Sequence, residues 1–175
     1  MSQNDQPRKS AVMLHGPDRA AARAMLHAIG FSREDLERPI IGVGAIMLKR
    51  DRILMAQRGK EPLKHWWSLP GGALELGELL ADGIRREVRE ETGLEVRPLG
   101  VLEIFERIMR DAGGAPEYHY VLIDYVCRVT GGELCAGDDV CAVEWVRRRD
   151  LAKLQITEGT LTVIEKGFRE RRRYM

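Results

Sequence analysis

The sequence predicts an α/β protein: a mixed β-sheet sandwiched by helices, with a helical appendage at its N-terminus. Three observations carry that prediction. Apolar runs of strand length flank and alternate with two amphipathic helical segments. Turn residues punctuate them, at Arg50-Asp51, Pro70-Gly71-Gly72, Gly113-Gly114 and Gly131-Gly132. The chain has 175 residues, 44% apolar and 31% charged, which is ordinary globular chemistry and enough for one domain plus an appendage.

Residues 1–10 are polar and expected to be disordered. Asp18 to Ile29 reads as a helix, with Asp18 as N-cap, Ala and Arg in the interior and Gly30 in the C-cap place. Ser32 to Glu37 adds a further turn, ended by Pro39. Residues 1–38 are therefore taken as an extension and 39–175 as the main domain. Ile40 to Leu48 reads as a central strand, and Ile53 to Gln57 as its hairpin partner. Trp66 to Leu69 is short and extended, and Pro70-Gly71-Gly72 turns the chain. Residues 78–92 form a helix whose buried stripe is Leu80, Ile84 and Val88. Two long strands follow, about Val96 to Arg110 and Tyr118 to Val129. Val140 to Val146 is another strand and Asp150 to Leu154 a helical turn. Residues 158–172 are helical, with Leu161, Ile164 and Phe168 on one face.

The chemistry concentrates in residues 72–94, GALELGELLADGIRREVREETGL. Glu87, Glu90 and Glu91 crowd the last turn of the helix, where the partial negative charge of the helix end disfavours acids. Glu87 faces the other two at the i+3 and i+4 spacings, where like charges repel by a few tenths of a kcal/mol. RREVREE alone is more often a solvated helix face. Joined to a Gly-Gly turn, it reads as a site for a hard divalent cation with oxygen ligands, Mg²⁺ above all.

The full spacing is Gly72, five residues, Glu78, seven residues, Arg86-Glu87-Val88, one residue, Glu90-Glu91, one residue, Gly93-Leu94. Every defined position of the Nudix box is present, so residues 39 to about 157 resemble a Nudix domain. Trp67-Ser68-Leu69-Pro70-Gly71-Gly72 is similar to the family's approach to the box. Gly42-Val43-Gly44-Ala45 and Leu54-Met55-Ala56-Gln57-Arg58 are similar to its first hairpin. The resemblance implies an α/β/α sandwich and hydrolysis of a nucleoside diphosphate linked to another group, with Mg²⁺ or Mn²⁺. It assigns metal binding to Glu87, Glu90, Glu91 and the Gly71 carbonyl, and catalysis to Glu87, Glu90, Glu91 and Arg86. Glu87 is the first choice of general base, with Asp138, Asp139 and Glu144 as loop alternatives. Arg58, Trp66, Trp67 and Gly72 are the expected substrate contacts, and Glu78 is read as mainly structural. The overall look is nearest to ADP-ribose pyrophosphatase-like members, although Arg110 stands where classical ones carry a proline. A hydrolase that clears damaged nucleoside triphosphates is the alternative enzyme. A nucleotide-sensing module without turnover is the alternative from another class.

The remaining features bound the partners. A formal net charge of +1 supplies no global attraction to nucleic acid or to a membrane, and no apolar run approaches a span. Cys127, Cys135 and Cys141 form no CxxC pair and read as reduced, semi-buried thiols of a cytoplasmic protein. The four histidines lack a partner pattern. Family members often dimerise, and the hairpin of residues 100–125 offers an interface. Residues 16–43, GPDRAAARAMLHAIGFSREDLERPIIGV, resemble the N-terminal segment of dihydroxy-acid dehydratases. The iron–sulfur cysteines and catalytic core of those enzymes have no counterpart here, so the expectation is a fusion in which a borrowed helix packs on the main domain.

Overall fold

The computed structural model describes residues 38–174 apart from 61–62, 111–112, 138–139 and 158. The predicted helix Asp18–Ile29, the turn after it and the dehydratase-like segment up to residue 37 lie outside the described residues. Pro39 to Val43 lead into and begin the central strand, β1 (Ile40–Lys49).

Glycines at 42 and 44 and apolar residues at the other positions up to Leu48 let β1 lie deep in the sheet. It pairs in parallel with β6 (Pro116–Gly132), from Ile40↔Tyr120 to Met47↔Cys127. On its other side it pairs antiparallel with β4 (Gly71–Ala73), through Gly42↔Ala73, Val43↔Gly72 and Gly44↔Gly71. β5 (Leu94–Arg110) runs antiparallel to β6 and completes this half of the sheet. The second half is built on β2 (Arg52–Arg58), between β3 (Trp67–Ser68) and β7 (Val140–Arg147). The halves join where β1 and β2 pair, at Leu48↔Ile53 and Lys49↔Arg52.

Side chains alternate across β1, and the two faces bury different cores. Val43, Ala45 and Met47 pack with Ile84 and Val88 of α1 (Leu80–Thr92). Ile46 packs on the opposite face with Val163, Ile164 and Phe168 of α2 (Thr160–Glu170). The predicted sandwich of a mixed sheet between helices is what forms. A 3₁₀ turn, Arg148–Lys153, connects β7 towards α2, and a second, Arg171–Arg173, follows it. Among the described residues no helix is long and apolar enough to cross a membrane.

Several expectations are corrected. Gly71 and Gly72 are strand residues, not the turn itself, because the bare β1 backbone at Val43 and Gly44 offers them partners. Leu161 is 44% exposed; the buried stripe of α2 is Val163, Ile164, Gly167 and Phe168, and Leu161 falls off its flank. Cys127 is buried, and burial pushes its thiol up to about 12, whereas Cys135 and Cys141 are exposed rather than semi-buried. All three are free thiols, as expected. On the long β5 strand Ile104 and Ile108 stand exposed.

Candidate active site

α1 is placed by its apolar stripe: Ile84 and Val88 are fully buried and Leu80 is partly so. Its start has no side-chain cap at Leu79. Its end is closed by Gly93 at φ 69°, the left-handed geometry that favours glycine. That burial leaves the border of the stripe, Arg86, Glu87, Glu90 and Glu91, facing β4.

Arg86 is the hub of this border. Its Nε and one terminal nitrogen donate to the two oxygens of Glu78, each at 2.9 Å. The other terminal nitrogen donates to Glu87 at 2.8 Å and Glu90 at 3.2 Å. The guanidinium also donates to the Ala73 carbonyl at 3.0 Å, tying the helix to β4. The forked bond from Arg86 holds the Glu78 carboxyl below the usual carboxylate range, and the surrounding acids raise Arg86 well above its own. Glu78 therefore does more than open the helix: it anchors the arginine that positions Glu87.

The three box glutamates are not equivalent. Glu87 is 13% exposed and sits directly on Gly72, where a Cβ would lie 2.5 Å from its Oε2. Glu91 accepts a hydrogen bond from the Gly71 N–H at 2.8 Å. Glu90 is 47% exposed and reaches Arg86 at the predicted i+4 spacing. Gly71 has φ 149°, and a Cβ there would strike the Val43 carbonyl oxygen. Gly72 thus lets the Glu87 carboxylate close onto the backbone, and Gly71 lets β4 lie against the β1 backbone at Val43 and Gly44.

The structure separates the other predicted residues. Trp67 is a core residue, pairing with Gln57 and packed with Ile46 and Ile164, so its ring is not free to stack on a base. Trp66 is half-buried beside it and its carbonyl accepts from the Arg58 N–H at 2.9 Å. Arg58 ends β2. On its far side Arg58 lies opposite Val140 of β7. Glu144 is exposed on β7, opposite Met55. Asp138 and Asp139 lie outside the described residues. The segment leading to them docks on the end of α1, with Cys135 N–H donating to the Thr92 carbonyl and Gly137 N–H to that of Glu91.

One group was missed. Asp124 on β6 is 6% exposed, opposite Gly44 on one side and Glu103 on the other. Burial, and then the charge of Glu103, push its carboxyl up to about 6. Lys166 donates to Glu103 at 2.8 Å from α2. The available signal was an acid inside an apolar strand, HYVLIDYVCRV.

Among the described residues no three carboxylate, imidazole or thiol groups converge as a closed metal cage. Mg²⁺ does not need one, because it keeps several waters and binds through one or two carboxylates. Glu87 and Glu91, both seated against the Gly71–Gly72 backbone, are a hard-oxygen donor set that fits such an ion.

Removing the hub tests its role. Arg86→Ala leaves Glu78 and Glu87 partly buried without their cation. A fully buried broken pair costs about 3–5 kcal/mol, and the partial exposure here reduces that to about 2 kcal/mol. Urea denaturation should show this loss at pH 7. Below the Glu78 range the gap should narrow, since a depressed carboxyl contributes stability above its unfolded pKa and loses it as pH falls.

The NUDIX domain family model matches residues 38–166. The ADP-ribose pyrophosphatase of Methanocaldococcus jannaschii is 36% identical over 116 residues, 66% of this chain and 66% of that protein. The 8-oxo-dGDP phosphatase of Mus musculus is 35% identical over 91 residues, 52% of this chain and 25% of that protein. The chain thus spans just under two thirds of the first relative's length and a quarter of the second's. A MutT NUDIX hydrolase from Burkholderia pseudomallei has a solved structure that superposes with a TM-score of 0.64 at 27% identity, covering 74% of this chain and 98% of that one.

Proposed function

Because the chain belongs to the Nudix hydrolase family, we propose that it cleaves the pyrophosphate bond of a nucleoside diphosphate joined to a second group. ADP-ribose-like substrates come first, and the ion is Mg²⁺, with Mn²⁺ able to replace it. The observation that carries this reading is the closure of Glu87 and Glu91 onto the Gly71–Gly72 backbone. The 36% identity to an archaeal ADP-ribose pyrophosphatase supports the substrate class.

In this reading Glu87, Glu91 and the Gly71 carbonyl hold the ion, with Glu90 at the exposed rim. When bound, Mg²⁺ lowers the pKa of a coordinated water and neutralises phosphoryl oxygens. Glu87 takes the proton from the attacking water, its carboxylate oriented by Arg86 at 2.8 Å. Arg58, at the end of β2, contacts a phosphate, and Trp66 flanks the substrate. Trp67 supports both from the core. The three free cysteines agree with a cytoplasmic location.

Clearing of damaged nucleoside triphosphates is the second reading, favoured by the 32% identity over 109 residues to a nucleoside triphosphatase of Enterobacter sp.. Retention of all three box glutamates counts against a sensor without turnover. One assay separates them: the protein with Mg²⁺ and a panel of ADP-ribose, NADH, dinucleoside polyphosphates and oxidised dNTPs. Release of AMP and ribose 5-phosphate from ADP-ribose is the expected result. Preferential turnover of oxidised dNTPs would move the assignment to the second reading. Absence of turnover on every member would overturn both enzymes.

A further inference from the structure

The ladder between β1 and β6 stops at Met47↔Cys127. Beyond it β1 leaves to pair with β2, and β6 stays with β5. The two halves of the sheet splay apart there and leave a cleft of about 550 Å³. That volume lies within the range of small-molecule sites, roughly 300–1,000 Å³. Its walls are apolar, from Leu99, Leu134 and the indole of Trp145. Its charged lining is Lys49, Arg128 and Arg171, with no acid among the lining residues. The Lys49 ammonium stands 5.9 Å from the Trp145 ring centroid.

A second observation comes from strand register. Lys49 lies opposite Arg52, Arg52 opposite Arg147, and Arg97 opposite Arg128. Like charges directly across an antiparallel pair destabilise the sheet. One member of two of these pairs, Lys49 and Arg128, lines the cleft. Among the described residues none of Lys49, Arg52, Arg97, Arg128, Arg147 and Arg171 makes an ion pair, although other arginines of the chain do, such as Arg148 with Glu165. The acidic ridge is at the other end, five residues along β1 from Val43 to Leu48, or roughly 17 Å at the usual strand rise.

We propose that this splayed end is a second ligand site, distinct from the ridge, for an organic phosphate with a flat aromatic body, of which a nucleoside monophosphate is the simplest case. The guanidinium groups match phosphate in geometry and charge. The apolar walls and the indole take the aromatic body, and the parted strand edges provide backbone groups that the sheet leaves unpaired. A ligand there would meet the charges of Lys49 and Arg128. The assignment does not depend on the identity of the substrate at the ridge.

The test uses the full chain in EDTA, so that binding at the ridge through a divalent ion is removed. Titration with AMP, ribose 5-phosphate and inorganic phosphate is followed by calorimetry and tryptophan fluorescence. AMP should bind at one site, more tightly than either probe without a base. The double variant Lys49→Glu/Arg128→Glu, at two exposed positions, should weaken AMP by at least ~10-fold, the scale of one lost charged hydrogen bond. Glu87→Gln should leave it unchanged. Turnover in Mg²⁺ at low substrate should survive the double variant. Absence of AMP binding in EDTA, an unchanged Kd in the double variant, or a weakened one in Glu87→Gln would overturn the proposal. Equal affinity for AMP and phosphate would overturn the aromatic part of it.

Discussion

Glu87→Gln lowers kcat by at least ~10²-fold on whichever substrate the panel identifies, the low end for loss of a general base. Its thermal midpoint stays close to that of the parent. The two expectations have one structural cause. Glu87 is bonded to Arg86 at 2.8 Å and seated on Gly72, and a glutamine keeps the same shape and can still accept from the guanidinium. Arg86 also retains both bonds to Glu78, so the hub survives. What glutamine lacks is the basic oxygen and the charge. Single-turnover kinetics with a matched melting curve checks both parts. Wild-type-like turnover in the variant would move the base to the segment after Gly132, whose described part docks on the end of α1.

The largest expected change in stability lies at Asp124. Its carboxyl is raised from 3.8 to about 6, because burial beside Glu103 disfavours the charge. The unfolded chain loses the proton first on raising the pH, and the native protein holds it longer. Stability contributed by this group is thus complete below pH 4 and lost as pH rises towards 6. A shift of about two units corresponds to about 3 kcal/mol, at ~1.4 kcal/mol per unit. Asp124→Asn has no charge to bury. It should match the parent in urea near pH 4 and exceed it by up to about 3 kcal/mol at pH 7. An equal midpoint for the two proteins across that range would show that the native site solvates the carboxylate. The parent accepts this cost in the middle of a strand whose neighbours are otherwise apolar.

The acidic ridge could be read before any coordinates because its geometry is local. Glu87, Glu90 and Glu91 share one helix turn, Arg86 reaches Glu90 at the i+4 spacing, and the glycine pair lies one loop upstream. Helical periodicity alone puts these groups together. The sandwich was legible for a similar reason, since alternation along β1 and the stripe of α1 each declare a buried face. The ends of α2 were less so: Leu161 fits a helical stripe in spacing, yet the sheet covers the adjacent flank instead.

Trp67 illustrates the opposite case. An indole beside a glycine turn reads equally well as a ligand contact or as core, and the pairing of Ser68 with Ala56 and of Trp67 with Gln57 is what buries it. Asp124 looks like any acid in a strand until Gly44 and Glu103 arrive from two other strands to enclose it. The basic end is a sharper instance. Arg97 and Arg128, or Arg52 and Arg147, are far apart along the chain and face each other through strand register alone. Periodicity encodes which face a residue takes within its own helix or strand. Charge and burial across strands depend on which strands meet, and that follows from the packing of the whole domain.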